Sequence, residues 1–214
     1  MHPKIRPLWI IIGARVRLGR WIAEDLAKDH DLLLTSSKSW NDISWHHGIS
    51  SIMRTFTWDA SSKDICKIIQ SDLRLVLGSH LRIDGACFLS STFDEQRLGT
   101  WDLESTQKTF NTNLIFPMLC TQEILPFLNP QASLHYFLDY AIQNPYKKRL
   151  PYSASKAGLK NFISGLSELV GDEINIQGHM LGTITKDGEP NAYPLHTPPQ
   201  PFSSLMQDIR GKSD

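Results

Sequence analysis

Leu8-Trp9-Ile10-Ile11-Ile12-Gly13-Ala14-Arg15-Val16-Arg17-Leu18-Gly19-Arg20 runs from an apolar pentapeptide through a glycine-bounded turn into an amphipathic segment. Five apolar residues in a row, too few for a helix and ended by glycine, read as a strand buried on both faces of a parallel sheet. The polar–apolar pattern from about Leu18 to Lys28 then reads as a helix. Strand, glycine turn and helix N-terminus together form a cradle for an anion. Backbone N–H groups and the positive end of the helix dipole face it, and glycine allows close approach. Gly13, Arg15, Arg17, Leu18 and Gly19 are therefore candidate cofactor-binding residues.

The alternation continues along the chain. Asp31–Thr35, Arg54–Trp58, Ile83–Leu89, Ser133–Leu138 and Ile174–Leu181 read as further strands. Helical stretches are expected at about Ser62–Leu77, Ser105–Leu128 and Ser153–Val170. Strands separated by helices predict right-handed crossovers and an α/β, Rossmann-type doubly wound parallel sheet flanked by helices. All 214 residues are expected to form one such domain. Residues 185–214 form an irregular proline-rich tail, because Pro190, Pro194, Pro198, Pro199 and Pro201 cannot donate to a sheet. Only Phe202–Arg210 suits a short closing helix.

Composition narrows the function. Lysine plus arginine and aspartate plus glutamate number 22 each, so the basic excess usual in a nucleic-acid binder is missing. Cys66, Cys87 and Cys120 are scattered and odd in number, which suits neither a disulfide framework nor a metal site. No apolar run approaches the roughly 20 residues needed to span a bilayer, and the N-terminus lacks a signal-peptide pattern. These features predict a cytoplasmic, soluble protein with no metal, nucleic-acid or membrane partner.

Two further stretches carry chemistry. Tyr152-Ser153-Ala154-Ser155-Lys156 sets a phenol and an ammonium at i and i+4, on one helix face. A phenol titrating near about 10 is a poor acid–base group at neutral pH, and a neighbouring cation brings its proton within reach. At the end of the second strand the chain reads Thr35-Ser36-Ser37-Lys38. A carboxylate there would select NAD through the ribose hydroxyls. Ser37 and Lys38 favour a 2′-phosphate instead, hence NADP(H).

In this order, these motifs resemble the short-chain dehydrogenase/reductase family over roughly residues 8–182. Arg17 stands where most of the family has glycine, and Asp139, thirteen residues before Tyr152, stands where most has serine. Both are similar to the pteridine reductase and dihydromonapterin reductase branch. So is Ser90-Ser91-Thr92-Phe93 after the fourth strand. The resemblance implies that Tyr152, Lys156 and Asp139 handle protons and that Asn113 holds a water in the relay to the lysine. It gives Asp59 and Ala60 the adenine, and Arg17, Ser91, Phe93, Asp139 and Tyr152 the pterin or folate. An ionised carboxylate at Asp139 opposes a developing alkoxide but suits a substrate with protonatable ring nitrogens.

The chain departs from the family in Phe88-Leu89-Ser90-Ser91, which replaces Asn-Asn-Ala-Gly, and in Leu181-Gly182, which replaces Pro-Gly. Beyond the sixth strand the segment is short, Pro194-Leu195 comes early, and the seventh strand is missing. Ile174–Leu181 is then an edge strand, and a homodimer through the Asn113 and Tyr152 helices is expected rather than a tetramer. The expected activity is NADPH-dependent reduction of a dihydropteridine or dihydrofolate C=N bond. Two alternatives stand beside it: a reductase for another carbonyl or imine, and a degenerate member that binds NADP(H) or a protein partner without turnover.

Overall fold

The computed structural model describes residues 6–78, 82–181 and 202–211. Six strands, β1 (Leu8–Ile12), β2 (Asp31–Ser36), β3 (Ile52–Thr57), β4 (Ile83–Phe88), β5 (Leu128–Asp139) and β6 (Asn175–Leu181), form one sheet in the order β3-β2-β1-β4-β5-β6. Every neighbouring pair is parallel. The chain winds outward from β1 to β3, then returns to lay β4 on the other side of β1. The switch point between β1 and β4 is where a doubly wound sheet opens a crevice beyond its strand ends.

The α/β expectation holds because the apolar strands are covered on both faces. All five residues of β1 are buried. Leu8, Ile10 and Ile12 point into a core shared with α2 (Ile65–Leu77), α4 (Phe116–Ile124) and α5 (Leu150–Val170). Trp9 and Ile11 point to the opposite core, with α1 (Arg17–Leu26) and α6 (Phe202–Ile209). Gly85 in β4 makes room for Trp9: a Cβ there would lie 2.3 Å from the indole. His135 of β5 and His179 of β6 sit in this second core, hydrogen-bonded at 2.8 Å, with Trp9 stacked on His135. Arg210 closes the end of α6 onto α1 through Asp25 and Asp29.

Several expected boundaries move, each for a local reason. β3 begins two residues early because Ile52 already pairs with Leu32, and Trp58 leaves the strand to donate its indole N–H to Asp72 of α2 at 2.8 Å. The expected helix over 105–128 is four pieces. α3 (Leu103–Phe110) starts early on an Asp102 cap that accepts the Ser105 N–H at 2.8 Å. A π-turn spans Asn111–Ile115, and after α4 the prolyl run Leu125–Phe127 tightens into a 3-10 turn. β5 starts at Leu128, with an irregular register against β4 between Ile83 and Gly85. No regular helix links β2 to β3. Two indoles hold that loop down instead: Trp40 donates to the Phe56 carbonyl at 2.8 Å and Trp45 to the Arg15 carbonyl at 3.1 Å.

The closing helix at 202–209 forms as expected. The remainder of the expected irregular tail, with Gly182, Pro194 and Leu195, lies outside the described residues. Among the described residues, β6 is an edge strand with β5 as its neighbour.

Candidate functional site

A cleft of about 1860 Å³ opens over the switch point. Its floor is the β1–α1 turn. Gly13 has φ +94, and a Cβ on it would lie 2.8 Å from the Ser90 nitrogen, so glycine lets this turn press against the end of β4. Gly19 is equally confined, since a Cβ would meet the Gly13 carbonyl oxygen at 2.1 Å. The N-terminus of α1 has neither a capping side chain nor an acidic residue in its first turn. Its first N–H groups therefore lack intrahelical partners, at a helix end that faces the cleft. This is a fit for the pyrophosphate of a dinucleotide.

Arg17 opens α1 with φ +52, a left-handed conformation that disfavours a side chain. A glycine would adopt it freely, so the arginine side chain is present despite the backbone. Arg15 lines the same rim and pairs with Asp42 at 2.5 Å. Ser37 and Lys38 line the end of the cleft above β2, with the Lys38 N–H on the Ser36 hydroxyl at 3.0 Å. Asp59 and Ala60 line it too; Asp59 also accepts the Ser61 N–H at 2.9 Å and so forms a local turn.

At the opposite end, β5 and α5 bring the catalytic candidates together. Tyr152 and Lys156 lie on the inward face of α5, both buried. The Tyr152 hydroxyl donates to Oδ2 of Asp139 at 2.7 Å. Oδ1 of Asp139 accepts the Ala141 N–H at 2.7 Å and the Tyr146 hydroxyl at 3.1 Å. Burial pushes the Tyr152 phenol well above its ordinary range, and the charge and hydrogen bond of Asp139 push it further. The lysine has a backbone partner of its own. Its Nζ donates to the Phe137 carbonyl at 2.9 Å and lies 5.9 Å from the Tyr152 ring centroid. Burial lowers Lys156 to about 8, against the opposing charge of Asp139. Tyr152 is thus a held proton donor, and Lys156 can change charge near neutrality.

Asn113 sits at the centre of the π-turn and is fully buried. Its amide is taken up by protein partners. Nδ2 donates to the Thr92 carbonyl and the Ser155 hydroxyl at 3.0 and 3.2 Å. Oδ1 accepts the Thr92 N–H and the Ser91 hydroxyl at 2.8 and 3.2 Å. The side chain therefore fastens the segment after β4 to α5. Phe93 is half exposed and meets the Tyr152 ring edge-on at 4.7 Å. One face of Phe93 carries the Arg149 guanidinium, 4.2 Å from the centroid.

Every residue expected in the site lines this cleft except Asn113, which lies just behind it between Thr112 and Ser155. Sequence reading missed Tyr146 and Arg149, which wall the cleft beside Tyr152 and Phe93, and Trp45, which fixes the Arg15 backbone. Tyr146 and Arg149 lie in an irregular loop, where no periodicity marks an inward residue.

No protein-family model and no curated protein matches this sequence. Solved structures share its fold. One is a short-chain dehydrogenase/reductase, a glucose/ribitol dehydrogenase from Brucella melitensis. It is 19% identical with a TM-score of 0.77, over 87% of this chain and 80% of that one. A short-chain dehydrogenase from Shigella flexneri, solved with NADP, is 16% identical with a TM-score of 0.76, over 82% and 77%. A 3-oxoacyl-[acyl-carrier protein] reductase from Brucella melitensis, solved with NAD, is 22% identical with a TM-score of 0.73, over 86% and 76%. The fold of this chain is that of the short-chain dehydrogenase/reductases.

Proposed function

We propose that this chain is a short-chain oxidoreductase that uses NADPH to reduce a C=N bond of a dihydropteridine or dihydrofolate. The observation that carries this reading is the hydrogen bond between Tyr152 and the carboxylate of Asp139. A ketone reductase needs a neutral donor beside its tyrosine, because charge develops on the carbonyl oxygen. A carboxylate there works against that charge. It favours a substrate whose ring nitrogen takes a proton, and the Asp139–Tyr152 pair holds one at the required place.

The nicotinamide supplies the hydride when bound. The chain's own residues do the rest. The Gly13–Gly19 turn and the first N–H groups of α1 bind the pyrophosphate. Ser37, Lys38 and Arg15 favour a 2′-phosphate, and no carboxylate ends β2 to oppose it. One solved relative of the fold holds NADP and another NAD, so this preference rests on the residues. Tyr152 delivers the proton to nitrogen while Asp139 orients its hydroxyl. Lys156 balances the charge left behind, and Phe93 with Arg17 flanks the substrate ring. The reading includes a cytoplasmic homodimer through the helices of Asn113 and Tyr152, where Ile115 and Met118 are exposed.

The test is loss of the reduced-nicotinamide absorbance with dihydrofolate and with a dihydropterin, for wild type, Asp139→Ala and Tyr152→Phe. Turnover abolished by both substitutions supports the reading. Turnover of ketones that needs Tyr152 and tolerates Asp139→Ala sinks it in favour of a carbonyl reductase. NADPH binding without turnover of any substrate sinks it in favour of a non-catalytic member.

A further inference from the structure

Two donors converge on a single oxygen of Asp139. Oδ1 accepts the Ala141 N–H and the Tyr146 hydroxyl, while Oδ2 accepts Tyr152. A carboxylate turns readily about its last bond, since that torsion is broad and two-fold. The Ala141 N–H lies two residues on in the chain and closes only a small local ring. Tyr146 reaches Asp139 from across the loop and fixes the carboxylate plane from a second direction.

Tyr146 is itself well anchored. Its backbone N–H donates to the Ser153 hydroxyl of α5 at 3.1 Å, and its carbonyl accepts the Arg149 N–H at 2.8 Å. Its ring meets Phe93 edge-on at 5.7 Å and lies roughly parallel to Tyr152 at 6.4 Å. Burial and the charge of Asp139 push its phenol up to about 12, so it stays a donor across the working pH range.

We propose that Tyr146 is a positioning residue of this site: by occupying Oδ1 it commits Oδ2 of Asp139 to Tyr152 and to one substrate N–H. The inference rests on the reductase reading given above. It adds a selection on the substrate. A group presenting a single ring N–H fits the remaining oxygen. A cation presenting two parallel N–H donors would need both oxygens and would have to displace Tyr146.

The test compares wild type, Tyr146→Phe, Asp139→Asn and the double variant, by thermal unfolding near neutral pH and by NADPH-dependent turnover of a dihydropterin. The phenol bonds an ionised carboxylate more strongly than a neutral one. Tyr146→Phe is expected to lower the unfolding midpoint by about 2–4 °C near neutral pH. That gap is lost in the Asp139→Asn background. Turnover by Tyr146→Phe is expected to fall about tenfold in kcat with KM for NADPH unchanged. A gap of equal size in the Asp139→Asn background would make Tyr146 a packing residue and overturn the proposal. So would a phenylalanine variant with wild-type kcat. A gap that behaves as expected in a protein that turns over no pterin, folate or ketone overturns the reductase reading and leaves the Tyr146–Asp139 lock standing.

Discussion

Replacing Arg17 with glycine should make the protein more stable and a poorer binder of NADPH. Arg17 has φ +52, and a left-handed conformation costs an ordinary L-residue about 1–2 kcal/mol. Glycine escapes that strain but loses more backbone freedom on folding, worth about 0.5–1 kcal/mol in the other direction. The net gain is roughly 0.5–1 kcal/mol. In a chain of 214 residues this corresponds to a rise of about 1–4 °C in Tm. The side chain is exposed at the mouth of the cleft, and a charge-assisted bond to a phosphate is worth about 1.5–3 kcal/mol. NADPH should then bind about ten- to a hundredfold more weakly. Arg17→Ala keeps the strain and removes the guanidinium, so it should lose affinity without gaining stability. The measurements are apo-protein melting and NADPH titration by fluorescence. A glycine variant that melts below wild type would refute the strain half of the argument, and one that binds NADPH as tightly would refute the phosphate half.

Other substitutions read out other parts of the structure. Gly19→Ala pushes a Cβ to 2.1 Å from the Gly13 carbonyl; overpacking of this kind costs about 1–3 kcal/mol, so denaturation should show the loss and NADPH affinity should fall with it. Lys156 is held at about 8 against an ordinary 10.5, so the unfolded chain binds the extra proton between those values. Wild-type stability should therefore rise with pH across that window by up to about 3 kcal/mol, relative to Lys156→Met; parallel pH dependences for the two proteins would count against a buried ammonium. Burial, with the charge of neighbouring His179, holds His135 at about 3 against an ordinary 6.5. Stability is then lost as pH falls below 6.5, on the order of 4–5 kcal/mol at most, and His135→Phe should unfold at lower pH than wild type in an acid titration.

The elements legible in the sequence are those whose signal is local and continuous. Leu8–Ile12 is apolar at every position and buried at every position. Tyr152 and Lys156 share a helix face by spacing alone, and Asp139 ends a strand that leads towards them. What was not legible depends on contacts between distant segments. The break at Asn111–Ile115 leaves no mark in a pattern that stays helical on both sides. Arg17 shows its left-handed backbone only in three dimensions, although it stands where glycine is usual. The β2–β3 loop carries no periodic signal, yet the Trp40 and Trp45 indoles tie it to the Phe56 and Arg15 carbonyls. Tyr146 sits among polar and basic residues, and only the folding of its loop turns it inward. The spacing pairs the Tyr152 phenol with the Lys156 ammonium, which is expected to bring the phenol's proton within reach. The burial that also packs the cleft gives the phenol to Asp139 and the ammonium to the Phe137 carbonyl.

The π-turn at Asn111–Ile115 bears on how the gene can change. Each residue in an α-helix advances the chain by about 100°. The turn accommodates one residue beyond the regular count, which lets Thr109, Asn113, Phe116, Cys120 and Ile124 all face inward. Removing a single codon there would restore a regular helix and rotate one half against the other by about a third of a turn. Either Asn113 would leave Thr92 or Phe116 would leave the core. The exposed positions of the same helix, such as Ile115 and Met118, carry no such constraint within the chain. Across descendants of this sequence, the segment should therefore keep its length fixed even where its outer, partner-facing residues are exchanged for other apolar ones.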